Sequence, residues 1–173
     1  FLAIYDQDIQ AVIKKTKKFA EEFGVHQPES KNLAKSIARK FHRKIPVLIA
    51  SEHLLGSAHA FKNQLNESSK SFSILFDIPE LNHHLMEGLR NPAEAKEFLN
   101  FLFLESRLYS PRVRKRYVVT KEVVEKNEVQ LERYLLNSDK KLEQIFEILT
   151  LGSFVSFYLA MLYGLDPLPI SLG

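Results

Sequence analysis

Cysteine is missing altogether from this chain of 173 residues. Its absence removes disulfides, a thiolate nucleophile and any zinc–thiolate centre, and it fits a reducing, cytoplasmic setting. A strong charge of one sign is missing too. Lys and Arg number 24 against 21 Asp and Glu, a net charge of +3, which compels no nucleic-acid partner yet suits an anionic ligand. There is no internal repeat and no low-complexity tract. Phe1-Leu2-Ala3-Ile4 has neither a basic flank nor a long apolar core, so no secretory signal is read there, and without a Met it reads as the start of a piece from a longer chain. What is present is ordinary for a globular protein, 45% hydrophobic and 26% charged, in a length that suits one domain with a substantial core.

Residues 148–165 carry no charge, a stretch on the order of a membrane-spanning length. Thr150, Gly152, Ser153, Ser156, Tyr158 and Tyr163 interrupt it, and Glu143 and Glu147 precede it on the same helix. A helix buried in a layered domain accounts for these residues better than a span, so no membrane partner is expected.

Ile9, Val12, Ile13, Phe19, Ala20 and Phe23 recur near helical spacing over residues 6–23, and Gly24 reads as the stop. A second helix is expected from Pro28 to His42, with Leu33, Ile37, Ala38 and Phe41 on one face. Ile45-Pro46-Val47-Leu48-Ile49-Ala50 is a continuous apolar run, which is how a strand buried on both faces of a parallel sheet reads. A helix at 55–67, a strand at 72–76, a loop with Pro79, a strand at 98–104, a helix opened by Ser110-Pro111 and ending near Lys126, and a strand at 129–136 follow. Ser138-Asp139 is expected to cap the long last helix. This alternation implies an α/β fold, a three-layer αβα sandwich with a mainly parallel sheet of four to five strands, in one domain over residues 1–173.

Two segments carry chemistry. Asn63-Gln64-Leu65-Asn66-Glu67-Ser68-Ser69-Lys70 sets a carboxylate at a predicted helix end, and Pro79-Glu80-Leu81-Asn82-His83-His84 sets an imidazole pair after the next strand. Carboxylate and histidine together move protons on and off carbon and oxygen at neutral pH. Read from spacing alone, Glu67 could equally pair with Lys70 at the i,i+3 position, and His83 could be a loop histidine bound to backbone.

Together the two segments resemble the second sugar isomerase (SIS) domain of the bifunctional phosphoglucose/phosphomannose isomerases. The stretch Leu151-Gly152-Ser153-Phe154-Val155-Ser156-Phe157-Tyr158-Leu159-Ala160, with Gly164-Leu165-Asp166-Pro167, looks like that family's last helix and exit. The resemblance implies that Glu67 abstracts the sugar proton and His83 opens the ring, with Lys70, Asn82 and His84 in support. It implies aldose–ketose isomerisation of glucose 6-phosphate, with mannose 6-phosphate as a further candidate substrate, without metal or cofactor, in a homodimer whose active site lies between two SIS domains. The alternative is a sugar-phosphate-binding SIS domain without catalysis, acting as a sensor or dimerisation unit. In the family a first SIS domain holds the phosphate, and a lysine follows the Asp-Pro turn; the chain here continues only to Ile170-Ser171-Leu172-Gly173.

The remaining motifs read as structural. His53, His59, His83 and His84 lack metal-ligand spacing, so no metal is expected. The strand-to-helix turn at 51–57 could offer backbone N–H groups to an anion, but with one Gly and an acidic side chain it is a poor phosphate cradle. Lys14-Lys15-Thr16-Lys17-Lys18 and Arg112-Val113-Arg114-Lys115-Arg116 lack interleaved aromatics, so nucleic acid is not an expected partner. The second run opens a helix, where positive charge opposes the helix dipole, a misfit that suits either an anion or partner contact or a plain surface balanced by Glu122, Glu125 and Glu128.

Overall fold

The apolar run at 45–50 becomes the inner strand on which the fold is built. In the computed structural model, which describes residues 5–168, β1 (Ile45–Ala50) lies between β2 (Ile74–Asp77) and β3 (Leu99–Glu105), and β4 (Gln130–Leu135) closes the order β2-β1-β3-β4. Every pairing is parallel: Val47 sits opposite Ile74 and Phe101, and Phe101 opposite Leu131. The sheet therefore has four strands, at the lower bound of the expected number. Strands β1 and β3 are buried along almost their whole length, as strands covered on both faces must be.

Chain direction decides which layer each helix joins. From β1 the chain steps outward to β2 through α3 (Leu55–Ser68), and from β3 it steps the opposite way to β4 through α6 (Pro111–Lys126). Right-handed crossovers running in opposite directions put their connections on opposite faces. One layer holds α1 (Asp6–Glu22), α2 (Leu33–Phe41), α3 and α7 (Lys141–Leu162), with α7 in contact with the other three. The other holds α6 and the β2-to-β3 crossover, with its single-turn helices α4 (Leu85–Gly88) and α5 (Ala95–Phe98).

Helix α7 is long and apolar enough to cross a membrane by length and composition. Its apolarity is accounted for by packing: Ile148, Leu151, Val155 and Leu159 are fully buried among the three helices it touches. Gly152 is what lets α3 come so close. A Cβ there would stand 2.3 Å from the side-chain oxygen of Gln64 and 2.8 Å from the Phe61 ring. The amide of Gln64 also donates to Ser153 Oγ at 2.9 Å, so Gln64 in the first motif is a helix-packing residue.

Glu147 is fully buried in the same helix. One oxygen accepts the Tyr134 hydroxyl at 2.6 Å and the Asn137 N–H at 2.8 Å, and the other accepts the Ser138 N–H at 2.9 Å. Burial, reinforced by the nearby Glu147 charge, pushes the Tyr134 phenol well above its ordinary range, so Tyr134 stays a donor.

Three local expectations are corrected. The single helix expected over 28–42 is a 3-10 turn, Glu29–Lys31, followed by α2. Asn32 breaks it: its Oδ1 caps α2 by accepting the Lys35 N–H, while its Nδ2 donates to Phe23 and Gly24 carbonyls. Strand β2 starts two residues later than expected, because Ser71 and Ser73 are tied back onto α3. Ser138 does not cap α7, whose N-cap is Lys140; it is held by its backbone, the N–H donating to Glu147 and the carbonyl accepting from Gln144 Nε2.

Two stability predictions follow from these contacts. Gly152→Ala should cost about 1–2 kcal/mol, since overpacking against Phe61 outweighs the helix-propensity gain of alanine. Glu147→Gln, which points an NH2 at backbone donors, should cost about 2–4 kcal/mol. Urea unfolding of each variant checks both, and unchanged midpoints would contradict the packing described.

Candidate functional site

The end of α3 is built by the same residues that make the first motif. Ser69 Oγ donates to the Leu65 carbonyl at 2.6 Å, and the Ser71 N–H reaches that carbonyl at 3.1 Å. Lys70 takes a left-handed φ of 51°, which turns the chain out of the helix. Asn66 Oδ1 then accepts both the N–H of Ser73, at 3.0 Å, and its hydroxyl, at 2.8 Å. Lys70 Nζ donates to the main-chain carbonyl of Glu67 at 2.6 Å. Asn66 and Ser69 thus shape the turn, and Glu67 is carried on it, exposed.

Because α3 runs back from the carboxyl end of β1, Glu67 stands at the amino end of the sheet. On the turn just after it, Ser69 and Lys70 line a cavity of about 420 Å³ together with Lys44, Ser71, Phe72 and Tyr163. Lys44, Ser71 and Tyr163 were not singled out from sequence. They come from three distant segments, and no spacing rule joins them.

The second motif forms a 3-10 turn, Glu80–His83, in the crossover that leaves the carboxyl end of β2. Asn82 pins this turn to α6: its Nδ2 donates to Thr120 Oγ1 at 2.7 Å, and its Oδ1 accepts from Arg116 at 3.4 Å. His84 is engaged with Glu80 at 2.8 Å and lies edge-on to Phe76. His83 is exposed, with no side-chain hydrogen bond among the described residues. Of the adjacent pair, it is His84 that a side chain engages among the described residues.

Within one chain the two motifs do not meet. Glu67 belongs to the α3–α7 layer and His83 to the α6 layer, so the sheet lies between the layers that carry them. Helix α3 alone, at 14 residues, spans about 21 Å. Glu67 stays exposed to solvent within its own chain.

Other sequence candidates are absorbed by the fold. His53 Nε2 lies 2.8 Å from Gln144 Oε1, and among the described residues no three metal-ligating side chains converge. The 51–57 turn is tied internally: the Ser51 N–H donates to the Tyr109 hydroxyl, Ser57 Oγ to the Leu54 carbonyl, and Glu52 accepts the Ser110 N–H. Those contacts leave little of it for an anion. The Ile170–Gly173 tail lies outside the described residues.

The carboxyl ends of β3 and β4, where open parallel sheets commonly take ligands, hold a group of charges. Glu105 receives Lys121 Nζ at 2.7 Å and two Arg133 nitrogens at 2.8 and 3.1 Å. Burial alone would raise its pKa, but hydrogen bonds from Arg133 and Lys121 outweigh it and hold the carboxyl below the usual 4.5. A carboxylate depressed in the folded state stabilises the fold above its unfolded pKa. That contribution is lost as pH falls below about 4.5 and through the lower folded value. Glu105→Gln should therefore flatten the acid limb of a stability–pH profile measured by urea unfolding; an identical acid limb would refute this.

Comparison with known proteins fits this architecture. Residues 30–172 match the family model described as the bacterial phospho-glucose isomerase C-terminal SIS domain. The chain is 28% identical over 166 residues to the bifunctional phosphoglucose/phosphomannose isomerase of Caldicellulosiruptor bescii, covering 95% of this chain and 49% of that protein. It is 30% identical over 140 residues to the Aquifex aeolicus protein of the same name, covering 81% and 43%. The chain thus spans about half the length of these curated relatives. Among solved structures, a glucose-6-phosphate isomerase like protein from Thermus thermophilus superposes with a TM-score of 0.78 over 92% of this chain and 53% of that one, at 21% identity.

Proposed function

The chain belongs to the family of bacterial phospho-glucose isomerase C-terminal SIS domains, and from that membership we propose that it is the second half of a two-domain phosphosugar isomerase. The reaction is the interconversion of glucose 6-phosphate, and of mannose 6-phosphate, with fructose 6-phosphate. A base takes the proton from the carbon beside the carbonyl, and an enediolate carries the negative charge until the proton returns to the neighbouring carbon. Glu67 is the base and His83 the acid–base group that opens the ring. Lys70, at the turn that carries Glu67, adds a cation near the developing enediolate, while Asn82 and His84 hold the His83 turn. Two side chains suffice for the proton transfers, and the setting is cytoplasmic carbohydrate metabolism.

The observation that carries this reading is the exposed Glu67 at the end of α3, on the turn whose Ser69 and Lys70 line a cavity with Lys44, Ser71 and Tyr163. A neighbouring domain closing over that turn would take the carboxylate out of water and set it against a bound sugar, as a proton-abstracting base requires. The sheet keeps the Glu67 and His83 of one chain apart, so one sugar reaches both only if a second copy supplies the histidine. Catalysis in this form requires a homodimer.

A second reading, a non-catalytic sugar-phosphate sensor or dimerisation unit, draws on the 51–57 turn, where the Ser51 N–H is taken by the Tyr109 hydroxyl and the Glu52 carboxylate is held in place, so that this turn is a poor phosphate cradle. A coupled assay on the complete protein separates the two. Glu67→Gln should lower kcat about 10²–10⁴-fold while leaving sugar-phosphate binding intact. Equal turnover by wild type and variant would remove Glu67 from the mechanism, and sugar-phosphate binding without turnover in either would favour the sensor. Mixing Glu67→Gln chains with His83→Gln chains should restore about one quarter of wild-type activity, because random two-fold dimers regain one intact site in half of the population. No recovery on mixing would mean that each site draws both groups from one copy.

A further inference from the structure

At the carboxyl ends of β3 and β4 a cleft of about 200 Å³ opens between α6 and the strand tips. Four cations line it, Arg107, Arg114, Lys121 and Arg133, against the single carboxylate of Glu105. Four positive charges less one negative leave a surplus of three.

The surplus is partly sheltered from water. The Lys121 side chain is 12% exposed and that of Glu105 15%, and Glu105 already serves Arg133 through two hydrogen bonds. Among the described residues Lys121 pairs with Glu105 alone, which it shares with Arg133, and a partly buried ammonium compensated by half a carboxylate is costly unless another anion approaches. The side chains of Arg107 and Arg114 make no hydrogen bond or ion pair among the described residues. Both are exposed at the rim, Arg107 in the loop before α6 and Arg114 in its first turn. The cleft also has an apolar wall: Val118 is 51% exposed and Leu135 42%, with the buried rings of Tyr109 and Tyr117 behind.

We propose that this cleft binds a small phosphorylated organic anion, its phosphate met by Arg107, Arg114 and Lys121 and its carbon chain laid along Val118 and Leu135. A phosphate monoester carries about two negative charges at neutral pH, which matches the surplus better than a single carboxylate. Guanidinium groups meet its oxygens in pairs, with geometry that a lysine cannot reproduce. The site faces away from the cavity beside Glu67, so it is a place for an effector rather than for the reacting sugar.

The test is a titration of the 173-residue chain at low ionic strength, followed by backbone amide chemical shifts, with inorganic phosphate, glycerol 3-phosphate and uncharged glycerol as probes. Phosphate and glycerol 3-phosphate should shift amides in 105–121 and 133–135, glycerol 3-phosphate more tightly than phosphate, and glycerol should shift none. Arg107→Gln/Arg114→Gln, two changes at exposed positions, should weaken binding at least about tenfold, whereas Glu67→Gln should leave it unchanged. Shifts confined to the Glu67 end, no shifts in the cleft, or cleft binding that survives the double change at full strength would each overturn the proposal. Equal binding of phosphate and glycerol 3-phosphate would remove the apolar wall from it.

Discussion

A buried carboxylate sets the position of the helix on which half of this fold rests. Left without partners, Glu147 in α7 would be among the most destabilising groups a core can hold. It is tolerated because the end of β4 and the two residues after Leu136 deliver a phenol and two backbone N–H groups to its oxygens. The arrangement works in both directions: the donors neutralise the cost of burial, and the carboxylate fixes where α7 begins relative to the sheet. Helices α1, α2 and α3 then dock on α7, and the α3 contact is close enough that only glycine fits at 152. Through α3, that placement determines where Glu67 emerges.

Much of this architecture can be read from local pattern. The apolar run at 45–50 announces a doubly covered strand, and the other three strands fall within a few residues of where alternation puts them. Errors arise where a side chain competes with the backbone. Asn32 looks like an ordinary helix residue, yet its amide is better used capping α2 and tying down Phe23 and Gly24. Ser138 looks like a helix cap, but its backbone is held by Glu147 and Gln144 and the cap falls two residues later, at Lys140. These are decisions taken by partners distant in sequence, which periodicity does not register.

The candidate site divides along the same line. Glu67 and His83 are visible because their motifs are contiguous, and the same contiguity hides the division of labour inside each motif. Gln64 packs helices, Asn66 and Ser69 close a turn, and Asn82 holds a loop against α6, so most of the polar residues around the two reactive groups are scaffolding. Lys44, Ser71 and Tyr163 border the Glu67 cavity only because the chain folds, and nothing in their spacing joins them. The cationic cleft was half legible: the run from Arg112 to Arg116 marks a helix opening against its dipole, but only Arg114 of that run lines the cleft, while Arg107, Lys121 and Arg133 arrive from elsewhere.

The order of the strands has a further consequence for growth of the sheet. β2 and β4 are its outer members, and each could in principle accept a foreign strand. β2 is only four residues long, and β4 carries Glu132, paired with Lys40, and an outward Arg133. Short length and charge are the usual means by which proteins refuse edge-to-edge addition. Within the described residues these edges disfavour strand addition and leave the helices and loops as the surfaces that meet a companion.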